Sequence, residues 1–115
     1  MTVQTATPFP MPEIPVEQVC FDRRELGHIL AVYGRMVALG EWRDYGISML
    51  REMAVFSIFR RSAEFPLFRV EKRPKLRGRQ GMYAVVAMDG RILRRGADLP
   101  SVLRVLEGKL IRQVE

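Results

Sequence analysis

Apolar residues first fall into register between Leu26 and Val37. Leu26, Ile29, Leu30, Tyr33, Met36 and Val37 recur at helical spacing and make one stripe. Asp22 and Glu25 stand three apart just before that stripe, the spacing of a capping box with Asp22 as the cap. Phe21 and Leu26 then occupy the positions of a hydrophobic staple, and Gly40 stands where a left-handed residue would end the helix. The pattern predicts one helix within Phe21–Trp42. Its flank Gly27, Ala31, Gly34, Ala38 is made only of small residues. Each of the two glycines costs roughly 1 kcal/mol against alanine. That cost predicts a close approach by the sheet, the other helix or a second copy of the chain.

Beyond Trp42 the period changes to two. Tyr45, Ile47 and Met49 alternate with Asp44, Gly46 and Ser48, and "MAVFSIFR" is β-branched and aromatic, as suits an interior strand. Arg51-Glu52 can join these two as a hairpin. In "PLFRVEK", Phe68 and Val70 point inward, Arg69 and Glu71 outward. "MYAVVAM" and "RILRR" flank Asp89-Gly90, which predicts a type I′ hairpin turn. The last segment is helical again: Asp98 is a cap, and Leu99, Val102, Leu103, Leu106 and Leu110 share one face.

Helix, five strands, helix predicts an α+β domain. Its most economical packing is a five-stranded, mostly antiparallel sheet with both helices on one face. The 115-residue length suits one domain. Pro8, Pro10, Pro12 and Pro15 mark residues 1–18 as an extended, disordered tail, leaving 19–115 as the folded unit. No apolar run reaches the length of a membrane span, and the N-terminus lacks the basic and apolar regions of a secretory signal. A single cysteine, Cys20, excludes an internal disulfide. The cytoplasm is the expected compartment.

Charge adds a functional hint. Residues 60–95 hold eleven of the nineteen cations against three acids. That asymmetry within a chain of net charge +6 predicts an anionic partner for its middle. The densest stretch is "EKRPKLRGRQGM", with Lys72, Arg73, Lys75, Arg77 and Arg79 around one proline and two glycines; Arg60 and Arg61 precede it. The backbone amides of such a glycine-bearing loop can cradle phosphate. Phe65 and Tyr83, set among the cations, are candidates for stacking on bases.

Catalytic chemistry is poorly supplied. His28 is the one histidine and falls on the polar side of the first helix. One imidazole beside capping acids makes neither a transition-metal site nor a catalytic pair, and no Walker loop, dinucleotide fingerprint or nucleophile elbow is present. No catalytic residue, metal ligand or cofactor is predicted. The order of elements is analogous to the double-stranded RNA-binding module of helix, three strands and helix, although the basic start of its second helix is missing here.

The stretches "VYGRMVALGEWRDYGI", "AVFSIFRRSAEFPLFRVEKRPKL" and "GMYAVVAMDGRILRRGADLPSVLRVLEGKL" resemble a family of small, mainly alphaproteobacterial proteins classed as a domain of unknown function, DUF2794. The resemblance covers roughly Phe21 to Leu110. It implies a small cytosolic α+β domain, and it implies no activity, cofactor or catalytic residue.

The residues and the resemblance together predict a non-enzymatic binding domain. Its basic strand-loop surface would meet nucleic acid or another polyanion. The alternative is a protein-interaction adaptor or homodimer that uses the flank Gly27, Ala31, Gly34, Ala38.

Overall fold

A computed structural model describes residues 17–61 and 65–114, without the side chains of 109–114. The proline-rich stretch 1–16 and the side chain of Leu110 lie outside the described residues. Helix α1 spans Arg23–Ala38. Its start is the predicted capping box: the Asp22 carboxylate accepts the Glu25 amide, and the Glu25 carboxylate accepts the Asp22 amide, both at 2.8 Å. Buried Phe21 and partly buried Leu26 join one core cluster, as a staple requires. Gly40 has φ +80° and donates to Val37 O, while the Glu41 amide donates to Met36 O. That pair of bonds is a Schellman motif, which satisfies carbonyls the helix leaves open.

Five strands follow: β1 Asp44–Met49, β2 Ala54–Phe59, β3 Phe68–Lys72, β4 Tyr83–Ala87 and β5 Ile92–Gly96. They form one antiparallel sheet in chain order. Helix α2, Leu99–Val114, starts with the Asp98 carboxylate accepting the Ser101 amide at 3.1 Å.

Cross-strand register gathers Ala54, Phe56, Ile58, Val70, Tyr83 and Val85 on one face. Against it lie Ile29, Val32 and Met36 of α1 and Leu99, Val102, Leu103 and Leu106 of α2, all buried in the same core. The Tyr33 ring of α1 meets Phe56 edge-on, with centroids 6.0 Å apart. Both helices therefore cover one face, and Arg35 of α1 ties to Glu107 of α2 through Nε at 2.9 Å. The opposite sheet face is left to the other half of each strand's alternation.

The hairpins follow their local chemistry. Leu50 N–H donates to Met53 O at 2.9 Å, so Arg51 and Glu52 are the turn residues between β1 and β2. The β4–β5 turn differs from the two-residue type I′ expectation. Gly90 N–H donates to Ala87 O and Ala87 N–H to Arg91 O, with Gly90 at φ +90°. This is a three-residue turn closed by a glycine bulge, because the Asp89 side chain accepts the Arg91 amide at 2.9 Å and only Gly90 supplies a left-handed glycine. The basic stretch also contains a short 3₁₀ turn, Pro74–Leu76, that periodicity did not predict.

Candidate anion-binding face

Strand alternation divides the charges of β3 between the two faces. Lys72 follows Phe68 and Val70 toward the helices, while Arg69 and Glu71 point to the open face. Glu71 is only 5% exposed although it is an acid on that face. Arg69 Nε lies 3.5 Å from one of its oxygens and Arg73 Nε lies 3.3 Å from the other. Two strands across, the row Glu71–Ala84–Arg95 brings Arg95 of β5 to the same side. Its guanidinium donates to Gly81 O at 3.3 Å.

Arg69, Glu71, Arg73 and Arg95 line one open cavity of about 360 Å³, together with Leu76, Val86, Gly90 and Ile92. Three guanidiniums thus share the lining with one buried carboxylate, which pairs with Arg69 and Arg73. The charge surplus suits an anion, and guanidinium forks suit phosphate or carboxylate geometry.

The adjoining loop is compact. Arg73 N–H donates to Met82 O at 2.7 Å and closes its base. The amides of Arg79, Gln80 and Gly81 all donate to Leu76 O at 3.0–3.2 Å. Those three amides are spent inside the loop and are not free for the expected amide cradle. Lys75, Arg77 and Arg79 are exposed; Lys75 also pairs with exposed Glu52 at 2.8 Å. Arg77 reaches back to Met82 Sδ at 3.8 Å.

The remaining sequence-derived candidates are dispersed. Lys72 is turned inward, and its ammonium lies 2.8 Å from both Glu25 Oε1 and Cys20 O. It is used within the fold and leaves the candidate surface. Arg60 and Arg61 follow the far end of β2, roughly 20 Å from Ala54 at about 3.3 Å per residue. They do not join the loop in one patch. Phe65 is 82% exposed, as a stacking residue must be. Tyr83 is buried, and its hydroxyl donates to Glu25, so its ring presents no face to a base. Burial first, then the hydrogen bond to Glu25 and that carboxylate's charge, hold the Tyr83 hydroxyl well above the usual phenol range.

Gly27, Ala31, Gly34 and Ala38 are all exposed, and no atom comes within 4 Å of a methyl group placed at either glycine. The expected close approach is therefore not made within the described residues. His28 is half-buried in a second cavity of about 300 Å³, beside Asp22, Arg24, Glu25, Tyr83 and Asp98. Among the described residues no group of three or more His, Cys, Asp and Glu is placed to hold a metal. Nor, among them, is any helix long and apolar enough to cross a membrane.

Sequence reasoning counted Arg69 and Arg95 within the basic segment 60–95, but singled out neither of them, nor Glu71, as one site. The alternation of β3 carried part of the signal. Arg95 needed the pairing register, which bulges between Val85 and Val86 and resists derivation from spacing alone.

A family profile described as "Protein of unknown function (DUF2794)" matches residues 19–103. The chain belongs to this family. No curated protein and no solved structure matches it. The DUF2794 segment contains the whole sheet and every residue of the arginine-lined cavity.

Proposed function

We propose that this DUF2794 protein is a non-catalytic binding domain. Its open sheet face and the adjoining basic loop grip a polyanion, with nucleic acid first among candidates. The observation that carries this reading is the cavity in which Arg69, Arg73 and Arg95 outnumber Glu71, continuous through Arg73 and Leu76 with the loop bearing Lys75, Arg77 and Arg79. Phosphate contacts of this kind position a strand without reading its sequence. The non-catalytic part of the reading is supported by the state of Glu25, the buried acid beside His28. It accepts from Asp22 N, Lys72 and Tyr83, and its bonds hold the fold together.

The test is binding of short duplex and single-stranded oligonucleotides by fluorescence anisotropy over a range of salt. Each duplex phosphate neutralised contributes about −0.9 to the slope of log K against log salt. Replacing Lys75, Arg77 and Arg79 together by Gln is expected to weaken binding and flatten the duplex slope by about two to three units. Arg60→Gln with Arg61→Gln is expected to do less. Absence of binding at low salt would remove nucleic acid as the partner.

A second reading has one observation in its favour. The open flank of Gly27 and Gly34 is bordered by Leu30 and Val37, each 40% exposed, which offers a small-residue apolar strip to a second copy of the chain. Solution mass by light scattering, with Gly34→Leu against Arg35→Leu, tests this homodimer.

A further inference from the structure

We infer that the cavity on the open sheet face, lined by Arg69, Arg73, Arg95 and Glu71, is a receptor for a phosphate monoester, carried at the end of a nucleic-acid strand or by a free nucleotide. The inference rests on the polyanion reading and narrows it to one chemical group at one place.

Charge matching gives the first reason. The lining carries three cations and one anion, a surplus of two. A phosphate monoester carries about −1.5 to −2 at neutral pH, whereas an internal diester carries a single charge. Contacts along a strand need only scattered cations, each facing its own phosphate. Three guanidiniums around one hollow are more than a diester uses.

The second reason is the role of Glu71. A carboxylate beneath an anion site is unfavourable unless it is offset, and here both oxygens are engaged by guanidiniums. Arg69 and Arg73 each meet it through Nε, the inner nitrogen of the fork. An arginine held by its Nε keeps its terminal amino groups for another acceptor. Arg95 is held separately, by Gly81 O. Buried Glu71 and the Gly81 carbonyl, at 3.3–3.5 Å, therefore bias the directions of all three arginines before a ligand arrives, which reduces the ordering cost of binding.

The third reason is the remaining lining. Leu76, Val86 and half-exposed Ile92 give the cavity an apolar wall beside its cations. A volume of about 360 Å³ is at the small end of ligand cavities and accommodates a mononucleotide. Ile92 and Leu76 would contact the sugar or base while the arginines hold the phosphate.

The test uses the full chain and three kinds of probe. Adenosine 5′-monophosphate is compared with adenosine by isothermal titration calorimetry. One short oligonucleotide is then compared with a 5′-phosphate, a 3′-phosphate or hydroxyl ends by anisotropy. The expected result is that the monophosphate binds and adenosine does not, and that an end phosphate tightens oligonucleotide binding about tenfold, a gain of ~1.4 kcal/mol. Both effects should vanish in R69Q/R73Q and survive K75Q/R77Q/R79Q. Removing two partners of buried Glu71 can unfold the domain, so R69Q/E71Q/R73Q, which also removes the buried charge, and R95Q, which leaves Glu71 paired, are measured beside it. Loss of monophosphate binding in folded R95Q supports the receptor. Monophosphate binding with no oligonucleotide binding also supports it, while removing the nucleic-acid reading. Oligonucleotide binding that ignores end phosphates, with no monophosphate binding, overturns the receptor and leaves the polyanion reading standing. No binding of any probe overturns both.

Discussion

Lys72 Nζ on β3 lies 2.8 Å from Oε1 of Glu25, the capping acid of α1 forty-seven positions earlier. Both side chains are largely buried, at 14% and 9% exposure. The same carboxylate accepts the Tyr83 hydroxyl of β4 through its other oxygen. One acid thus caps the start of a helix, neutralises a lysine and orients a tyrosine.

Removing one partner of a buried pair leaves the other charge uncompensated, at a cost of about 3 kcal/mol. Lys72→Met should therefore lower the denaturant midpoint strongly. Lys75→Met should leave it nearly unchanged, because the Lys75–Glu52 pair is 79% and 53% exposed, and such pairs are worth roughly 0–1 kcal/mol. Equal midpoints for the two variants would show that Lys72 is as dispensable as a solvated loop lysine.

Tyr83 gives stability a pH dependence of known sign. Its folded hydroxyl titrates above the ordinary phenol value, chiefly because it is buried and then because it donates to Glu25. Below about pH 10 both folded and unfolded forms keep the proton, so the stabilisation is fully present. As pH rises past that value the unfolded chain ionises first, and stability is lost toward the raised folded value. Tyr33 is shifted the same way, by burial first and then by Asp44 and Tyr45. Urea unfolding between pH 8 and about pH 11 should show this fall, and Tyr83→Phe should make it shallower. An identical pH profile in the variant would assign the fall to other groups.

The α1 flank yields a prediction opposite to the one its sequence invites. Nothing lies within 4 Å of an added Cβ at Gly27 or Gly34, so alanine at each removes a helix penalty without a clash. Gly27→Ala with Gly34→Ala should raise stability by roughly 1–2 kcal/mol in the monomer. A fall in stability that accompanies a change in solution mass would instead place this flank inside a contact between copies.

Sequence carried the fold because its local rules agreed with one another. Asp22, Glu25 and Gly40 mark both ends of α1, alternation gives each strand, and a meander of adjacent hairpins needs no long-range pairing. The site was less legible. Counting cations along "EKRPKLRGRQGM" mixes residues of opposite destination: Lys72 goes to Glu25, Arg73 goes to Glu71, and Lys75 meets Glu52. Charge density along a chain does not record which face each side chain takes. Arg95, distant in sequence, reaches the cavity only through the strand order.

The glycines of "RGRQG" make the last prediction, because the loop treats them differently. Gly78 has no atom within 4 Å of its added Cβ, and it is not among the positive-φ glycines. Gly81 has φ +106°, and an added Cβ there would lie 2.5–2.8 Å from the backbone of Gly96. The loop that leaves Leu76 must pass against the end of β5 to start β4, and only a residue without a side chain fits both the dihedral and the contact. The same residue's carbonyl holds Arg95, so this passage also sets one wall of the cavity. Gly78→Ala is expected to be close to neutral. Gly81→Ala is expected to cost at least about 2 kcal/mol, from strain of order 1–3 kcal/mol at the dihedral together with displacement of packed backbone. Thermal or urea unfolding of the two variants checks the difference. If the Gly81 variant remains folded, its anion binding should fall with the loss of the Arg95 anchor, while the Gly78 variant binds as wild type. Equal stability and equal binding in both would mean that β4 can enter the sheet without the close passage past Gly96.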